Sequence, residues 1–373
     1  MTSFSSNRQS RSLNIWSARH YMSGYKDPHR GLWALKAAAR SVPGIRVMRV
    51  PMHIPSGLAE AAPRLPLAGL FKLLSHLMIA ARIFGSRDQI IIREFLTLPL
   101  LAASPLIFFS RRRLWFLCQH NIAKAAASPA HRYALSALSR AGFQFLVYES
   151  TEDWRQVVTR DQKIPEGIKC IPLPFPARQQ PLETNVARPR RGRIRIGFVG
   201  AIRDEKSPEW ALLALHKEII QRDGDNRWEL ILGTTNKSAL DRWKGKATLY
   251  FTDTYADYRE ALMACDILIL PYDRKAYVHR TSGVLAEGVA AGCAVVAPNI
   301  PALSVQVMQP APVGSLYDND VDIVRAARDA AALLTSGDFE RALAEHQEFR
   351  GVTGVARALQ SLIAPGRRTG AIA

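Results

Sequence analysis

The segment from Leu268 to Val296 contains residue types that suit the binding of an anion. It reads as a buried strand, a polar loop, a short helix and a second strand. Ser282 suits the position just before the helix, and Gly283 lets a backbone approach a ligand closely. The N–H groups of Ser282, Gly283 and Val284 at the start of that helix would favour a diphosphate. One acid, Glu287, lies within the first two turns.

A second set of candidate residues follows the predicted strand Arg195–Val199. Gly200 begins a turn that also carries Arg203 and Lys206. Two cations on a turn that leads from a strand into a helix are well placed to bind phosphate groups, and this is the interpretation we favour. The alternative is a solvated charged turn, in which the two intervening acids pair with the two cations.

Three polar residues of the first half follow the ends of predicted strands. His120 ends the strand Leu114–Cys118, where it either faces a ligand or is a capped loop residue. Glu94 and Glu149 end two other strands and are candidates for a cleft, although neither belongs to a motif.

Strands and helices alternate in both halves of the chain. Residues 1–187 are predicted to form strands at Leu13–Trp16, Ile45–Pro51, Gln89–Arg93, Leu114–Cys118, Phe143–Tyr148 and Ile168–Leu173, and helices at Arg30–Ser41, Leu65–Phe84, Leu96–Ile107 and Ala130–Ala141. Residues 188–373 are predicted to form strands at Arg195–Val199, Trp228–Leu232, Leu249–Phe251, Ile267–Leu270 and Cys293–Ala297, and helices at Ser207–Ile220, Lys237–Trp243, Tyr255–Ala264, Val284–Ala291, Asp320–Leu334 and Phe339–Leu362.

This order predicts an α/β protein with two Rossmann-like, doubly wound parallel sheets. A chain of 373 residues is too long for one ordinary core, so we expect two domains. The first spans residues 1–187 and ends in the Pro/Arg-rich linker Pro174–Gly192. The second spans residues 188–373, and its terminal helices are candidates to pack back on the first. Ligands of such folds bind beyond the carboxyl ends of the strands, in a cleft between the domains.

The positive charge is concentrated in the first half of the chain. Residues 1–187 hold 25 Lys+Arg and 10 Asp+Glu, whereas residues 188–373 hold 25 and 22. Nucleic acid, an anionic membrane and a phosphorylated substrate would each explain the surplus, and so would compositional drift toward Arg. The sequence lacks the interleaved basic and aromatic residues that are typical of nucleic-acid binding, so we expect no nucleic-acid partner.

The sequence is typical of a cytoplasmic protein. Its four cysteines, Cys118, Cys170, Cys265 and Cys293, lie in apolar runs without paired spacing, which favours small core residues over metal ligands. The N-terminal residues contain no apolar stretch of the secretory type, and no run reaches the length of a membrane span. The amphipathic segment Leu65–Phe84 is either a flank of the first sheet or a membrane-surface helix.

The second half resembles the donor domain of GT-B glycosyltransferases, most closely the retaining family 4 (glycosyl transferases group 1). Three segments carry the resemblance in order and spacing: IGFVGAIRDEKS, YADYREALMACDILILPY and SGVLAEGVAAGCAVVAPNIPALSVQV. They resemble the family's strand–GxxxxxK turn, its helix-then-strand segment and its E-A-x-A-x-G-x-P-V-V run. The first half matches mainly in layout and in its strand-ending histidine.

The resemblance implies roles for the residues already singled out. Arg203 and Lys206 would hold the donor diphosphate, and Gly200 would allow its close approach. Glu287 matches the family's second glutamate, which accepts hydrogen bonds from the donor ribose. The alternative for Glu287 is an acid that interacts with the helix dipole. His120 would lie near the donor sugar and the acceptor.

The chain also departs from the family pattern. The family's first glutamate falls on His279, for which Asp273 is a candidate replacement. His279, Arg280, Thr281 and Ser282 are then candidates to contact the sugar or the phosphates.

One further residue and one loop are candidates to line the donor and acceptor pockets. Tyr272 would line the pocket for the donor base, or else it packs in the core as strand-end aromatics often do. The loop His20–His29 stands where the family has a Gly-rich acceptor loop, of which Gly24 remains.

The implied function is that of a metal-independent, retaining glycosyltransferase without a cofactor. It would move a sugar from a UDP- or GDP-sugar to a glycan acceptor. The acceptor is expected to be carried on a lipid diphosphate in bacterial surface polysaccharide assembly. The protein would then act as a peripheral protein on the inner face of the plasma membrane. The alternatives are a non-catalytic GT-B relative, a nucleotide-sugar epimerase and, with less support, a basic nucleic-acid-binding protein.

Overall fold

The structure, a computed structural model, describes residues 30–49, 67–84, 88–93, 95–118, 121–149, 170–176, 192–222, 227–278 and 280–363. The first part contains α1 Arg30–Arg40, β1 Ile45–Arg49, α2 Leu67–Phe84, β2 Gln89–Arg93, α3 Thr97–Ile107, a 3-10 helix Phe108–Arg113, β3 Leu114–Cys118, α4 Asn121–Ala127, α5 Pro129–Arg140, β4 Gln144–Tyr148 and β5 Cys170–Leu173. The predicted strand Leu13–Trp16 and most of the linker lie outside the described residues.

The second part continues the alternation of strands and helices. It contains β6 Ile194–Val199, α6 Glu209–Leu215, a π-helix His216–Gln221, β7 Trp228–Thr234, α7 Lys237–Trp243, β8 Thr248–Phe251, α8 Tyr255–Ala264, β9 Ile267–Ile269, α9 Arg274–Tyr277, α10 Gly283–Ala290, β10 Ala294–Pro298, α11 Pro301–Met308, β11 Gly314–Tyr317, a 3-10 helix Asp320–Asp322, α12 Ile323–Thr335, α13 Asp338–Arg350 and α14 Val352–Ile363.

These strands form two parallel sheets, which confirms the predicted fold class. The first sheet has the order β1-β2-β3-β4-β5, and the second has the order β11-β10-β9-β6-β7-β8. In the second sheet the chain moves outward from β6 through β7 to β8 and then returns to the other side of β6 with β9. The strand order therefore reverses between β6 and β9, and ligands of open α/β sheets bind at the carboxyl ends of such strands.

Buried side chains cover both faces of each sheet. The interior strands β3 and β10 are buried at every position, as expected for parallel strands between two layers of helices. Cys118, Cys265 and Cys293 are buried free thiols.

The structure corrects the prediction of one long C-terminal helix at Phe339–Leu362. Gly351 adopts an extended conformation with a ψ of 176°, so α13 ends at Arg350 and α14 begins at Val352. Glycine is a poor helix former, and the break lets α14 change direction. Helix α14 then packs against α1 of the first part, where Val355 and Leu359 are fully buried.

Five short elements were not predicted from the sequence. They are helices α4, α9 and α11, the 3-10 helix Phe108–Arg113 and strand β11, which are between four and eight residues long, too short to show a clear periodicity.

A buried ion pair joins the two parts of the molecule. Glu149 lies directly after β4 and has a φ of 53°, which is unusual for a residue with a side chain. Its Oε1 accepts hydrogen bonds from the Phe175 N–H at 2.7 Å and from Arg350 Nε at 3.1 Å. The side chains of Glu149 and Arg350 are 3% and 2% exposed. Glu149 is therefore committed to this contact.

The remaining hydrogen bonds of Arg350 are also satisfied. Its guanidinium donates to the Gln309 carbonyl at 2.6 Å and contacts His346 Nδ1 at 3.0 Å. Since arginine only donates, Nδ1 accepts, and His346 Nε2–H donates to the Ala311 carbonyl at 2.7 Å. Burial, and then the charge of Arg350, lower the pKa of His346 to about 3. His346 therefore stays neutral at physiological pH.

Replacing Glu149 by Gln should leave the Arg350 charge buried without a counter-charge. Loss of one partner of a buried pair costs about 3–5 kcal/mol, so we expect a drop of that size in the free energy of unfolding, measured by urea denaturation. The double variant Glu149→Gln/Arg350→Met is the control, because it removes both charges, and it should recover most of the loss. Equal stability of Glu149→Gln and the wild type would contradict this role.

Candidate functional site

The first wall of the site is the turn that follows β6. Gly200 has a φ of 151°, which is strained for any residue with a side chain, and its N–H donates to the Gly233 carbonyl at 2.9 Å. A Cβ at Gly200 would lie 3.9 Å from a methyl group of Val284. The turn therefore lies directly against the start of α10, so the two sets of candidate phosphate-binding residues are neighbours.

Lys206 lies above two stacked tyrosines. Its Nζ is 5.0 Å from the ring centre of Tyr272 and 5.6 Å from that of Tyr277, and the two rings are 4.1 Å apart. Such contacts with aromatic faces stabilise a cation. Burial, and then the charge of Arg203, nevertheless lower the pKa of Lys206 to about 8. An anion bound here would restore the preference for the charged ammonium.

Arg203 and Lys206 are held close together by the backbone. The Lys206 N–H donates to the Arg203 carbonyl at 2.8 Å, and the two residues form an antiparallel bridge. The Arg203 guanidinium is mostly exposed and lies 4.0 Å from Glu205. An exposed ion pair at that distance contributes little energy, so Glu205 does not prevent Arg203 from binding an anion.

The second wall of the site is the start of α10. Ser282 is the N-cap: its Oγ accepts from the Leu285 N–H at 3.1 Å and is bonded to the Tyr272 hydroxyl at 3.1 Å. Its backbone N–H donates to Gln306 Oε1 at 2.7 Å, and Gln306 Nε2 donates back to the Ser282 carbonyl at 3.2 Å.

These bonds correct one expectation about the anion site. The Ser282 N–H was expected to face the anion, but Gln306 occupies it, because a fully buried amide must itself be satisfied. The N–H groups of Gly283 and Val284 stand at the start of the helix, where they have no partner within α10. Gly283 is exposed, so an anion can reach them.

Tyr272 is a buried support for the site. It is 4% exposed and belongs to the core of the second sheet, which agrees with the packing alternative. Burial, and then the neighbouring Tyr277, raise the pKa of Tyr272, and the charge of Glu287 adds to the rise. Tyr272 is therefore a neutral phenol, and Glu287 lies on its side of α10.

Sequence reasoning did not single out Tyr277 or Gln306. The ring face of Tyr277 contacts the Lys206 ammonium, and the Arg280 guanidinium lies 6.0 Å from the centre of the same ring. The charge of Arg280 lowers the pKa of Lys206, so a third cation stands near Arg203 and Lys206. The available signal for Tyr277 was a second tyrosine in the same segment as Tyr272, between β9 and α10. Gln306 had none, because α11 itself was not predicted.

The other predicted residues divide into two groups. His120, His279, Glu94 and the loop His20–His29 lie outside the described residues. Asp273 is the N-cap of α9, where its side chain accepts from the Ala276 N–H at 2.7 Å. This bond occupies one carboxylate oxygen of the candidate replacement for the family's first glutamate.

The described residues contain no group of three or more His, Cys, Asp or Glu that would hold a metal ion. Within the same residues, no helix is long and apolar enough to cross a membrane.

Replacing Gln306 by Leu should loosen the start of α10. The change leaves the buried Ser282 N–H and carbonyl without partners, which costs about 1–3 kcal/mol of unfolding free energy. Urea denaturation measures the loss, with the half-buried neighbour Ser304→Ala as the control. A loss no larger than that of the control would show that Gln306 does not hold the helix start.

Comparison with known proteins shows which family and which solved structures this chain is similar to. Residues 193–336 match the sequence profile of the family Glycosyl transferases group 1. No curated protein sequence matches the chain. Among solved structures, HepE of Anabaena, in complex with UDP and glucose, is 13% identical with a TM-score of 0.55, over 91% of this chain and 96% of that one.

Two further solved structures are similar. An E. coli protein described as trehalose-6-phosphate, bound with UDP-2-fluoro glucose, is 13% identical with a TM-score of 0.52, over 80% of this chain and 78% of that one. The UDP-forming alpha,alpha-trehalose-phosphate synthase of Burkholderia vietnamiensis is 13% identical with a TM-score of 0.50, over 81% and 79%. The chain therefore has the GT-B fold, and its second sheet lies in the region that matches glycosyl transferases group 1.

Proposed function

We propose that this protein is a glycosyltransferase that moves a sugar from a nucleotide-sugar donor to a glycan acceptor. One observation carries the proposal: Arg203, Lys206 and the open start of α10 meet where the order of the second sheet reverses. HepE and the E. coli protein were solved with UDP and UDP-2-fluoro glucose, which supports a nucleoside diphosphate as the donor carrier. The carrier is UDP or GDP.

The proposed reaction breaks the bond between the sugar C1 and the diphosphate oxygen. The acceptor hydroxyl forms the new bond to C1 from the same face, which retains the configuration, and its proton passes to the departing diphosphate oxygen. Negative charge grows on the diphosphate as the bond breaks. Arg203, Lys206 and the N–H groups of Gly283 and Val284 would stabilise that charge more strongly in the transition state than in the donor.

In this proposal His120 is a catalytic residue together with Arg203 and Lys206, whereas His279 and Glu287 bind the donor. The Glu287 carboxylate accepts hydrogen bonds from the ribose hydroxyls. The resemblance to the family is what supports roles for His120 and His279 at the sugar and the acceptor. The reaction requires no metal and no cofactor, because protein cations supply the countercharge.

The acceptor in this proposal is carried on a lipid in bacterial exopolysaccharide or other surface polysaccharide synthesis. The protein would act on the cytoplasmic side of the plasma membrane, as a peripheral protein. The support is the surplus of 25 Lys+Arg over 10 Asp+Glu in residues 1–187.

A panel of nucleoside diphosphates and nucleotide sugars should identify the donor by thermal shift. A ligand at about 100 times its Kd stabilises the folded state by about 2.7 kcal/mol, so binding of the donor raises Tm. The shift should be lost in Glu287→Ala and kept in Glu340→Ala, an exposed helical acid remote from the site.

Other outcomes would favour other functions. No shift with any nucleotide would rule out a donor site. Turnover of a nucleotide sugar into an isomer without any acceptor would indicate an epimerase instead.

Binding of the diphosphate should weaken as the pH rises above 8. Lys206 has a pKa of about 8 in the free protein, so it is mostly charged at pH 7 and loses its proton through that value. The Kd of the nucleoside diphosphate, measured by calorimetry, should rise between pH 7 and pH 9.5. Lys206→Arg keeps its charge over this range, and its Kd should stay nearly constant. The same pH dependence in both proteins would assign the effect to another group.

A further inference from the structure

Helix α3 is apolar on its outward side as well as its inward side. None of its eleven residues carries a charge. Leu100, Ala103 and Ile107 are buried against the first sheet, whereas Leu98 and Leu106 are exposed, Leu106 by 51%. A helix that is apolar all round is normally covered on every side.

The neighbouring elements extend this apolar surface. Helix α2 packs against α3 and exposes Leu74 and Met78, which lie one turn apart on the same face. The 3-10 helix that follows α3 exposes Phe109 by 86%. Single exposed apolar residues are common, but a set on adjacent elements marks an interaction surface. We call these residues the α2–α3 face: Leu74, Met78, Leu98, Leu106 and Phe109.

The border of the α2–α3 face is basic. Arg82 lies in the last turn of α2, and the run Arg111–Arg113 follows Phe109 directly. In the described part of the chain up to residue 176, the acids are Asp88, which pairs with Arg46, and the buried Glu149. Asp88 lies at the same edge of the sheet as Arg111–Arg113, but its charge is balanced by Arg46, so the border of the face stays net positive.

We propose that the α2–α3 face docks onto an anionic lipid bilayer. The apolar side chains would enter the boundary between head groups and acyl chains, and the arginines would contact anionic head groups. A second copy of the chain fits less well, because a twofold pairing of this face would bring Arg111–Arg113 close to the same arginines of the other copy.

The position of α3 connects this surface with the cleft. The helix begins at Thr97, just beyond the carboxyl end of β2, and that edge of the first sheet faces the ligand cleft of a GT-B fold. Docking of the α2–α3 face would hold the first sheet against the membrane that carries the proposed lipid-linked acceptor. The link between this face and a lipid-linked acceptor rests on the proposed function. Binding of the α2–α3 face to the bilayer does not.

Vesicle cosedimentation of the full chain tests the proposal. The probes are vesicles of phosphatidylcholine with phosphatidylglycerol and vesicles of phosphatidylcholine alone. The wild type should prefer the anionic vesicles, and added salt should weaken the binding. Phe109→Glu should lower the partition coefficient about tenfold or more, since it places a charge where an exposed aromatic ring would enter the bilayer. Arg112→Gln should lower it about fivefold on anionic vesicles only.

The matched control is Val321→Glu, which places the same charge at an 85% exposed apolar residue of the second part. It should bind vesicles like the wild type. Equal binding by Phe109→Glu and the wild type would overturn the proposal, as would a wild type that binds no vesicles. A wild-type dimer in sedimentation velocity that Phe109→Glu converts to a monomer would also overturn it, in favour of self-association.

The nucleotide thermal shift separates this proposal from the proposed function. Phe109→Glu should keep the full shift, because Phe109 lies at the opposite end of α3 from the cleft. Vesicle binding without any nucleotide shift would reject the transferase and leave the docking surface in place.

Discussion

The buried pair of Glu149 and Arg350 is the contact on which the relation between the two sheets depends. A charge that is removed from water must find its partners, and here the partners come from β4, the segment after β5, and α13. Arg350 also holds the Gln309 carbonyl and His346, which fixes the chain after α11. One guanidinium thus connects the carboxyl edge of the first sheet with the helix layer of the second. Two apolar surfaces alone would not select one relative position so strongly, because apolar contacts are not directional.

The break at Gly351 complements this contact. It ends α13 at Arg350, so that α14 can leave the second sheet and pack with α1 on the first. The side chains of Val355 and Leu359 then bury apolar area in the core of the other part. The ion pair supplies direction, and the helix supplies the hydrophobic energy.

Directional hydrogen bonds also shape the candidate site. Gln306 fixes the backbone of Ser282, and Ser282 holds the hydroxyl of Tyr272, whose ring supports Lys206. The cation on the turn and the helix start are therefore connected through buried groups rather than through the solvent. Such a site is organised before its ligand arrives, which reduces the reorganisation that binding an anion requires. The site and the α2–α3 face lie on different parts, joined by the Glu149–Arg350 contact.

The sequence by itself determined most of the helices and strands of this protein. Strands such as Gln89–Arg93 and helices such as Lys237–Trp243 have the predicted bounds, because their apolar period is local. Gly200, Arg203 and Lys206 could be singled out as candidates because a strand, a turn and a helix follow each other within a few residues. The tertiary structure alone decided that Glu149 pairs with a residue 201 positions away and that Gln306 takes the Ser282 N–H. Such contacts join side chains whose distance in the chain carries no periodic signal, and burial, which the folded sheets impose, gives them their strength.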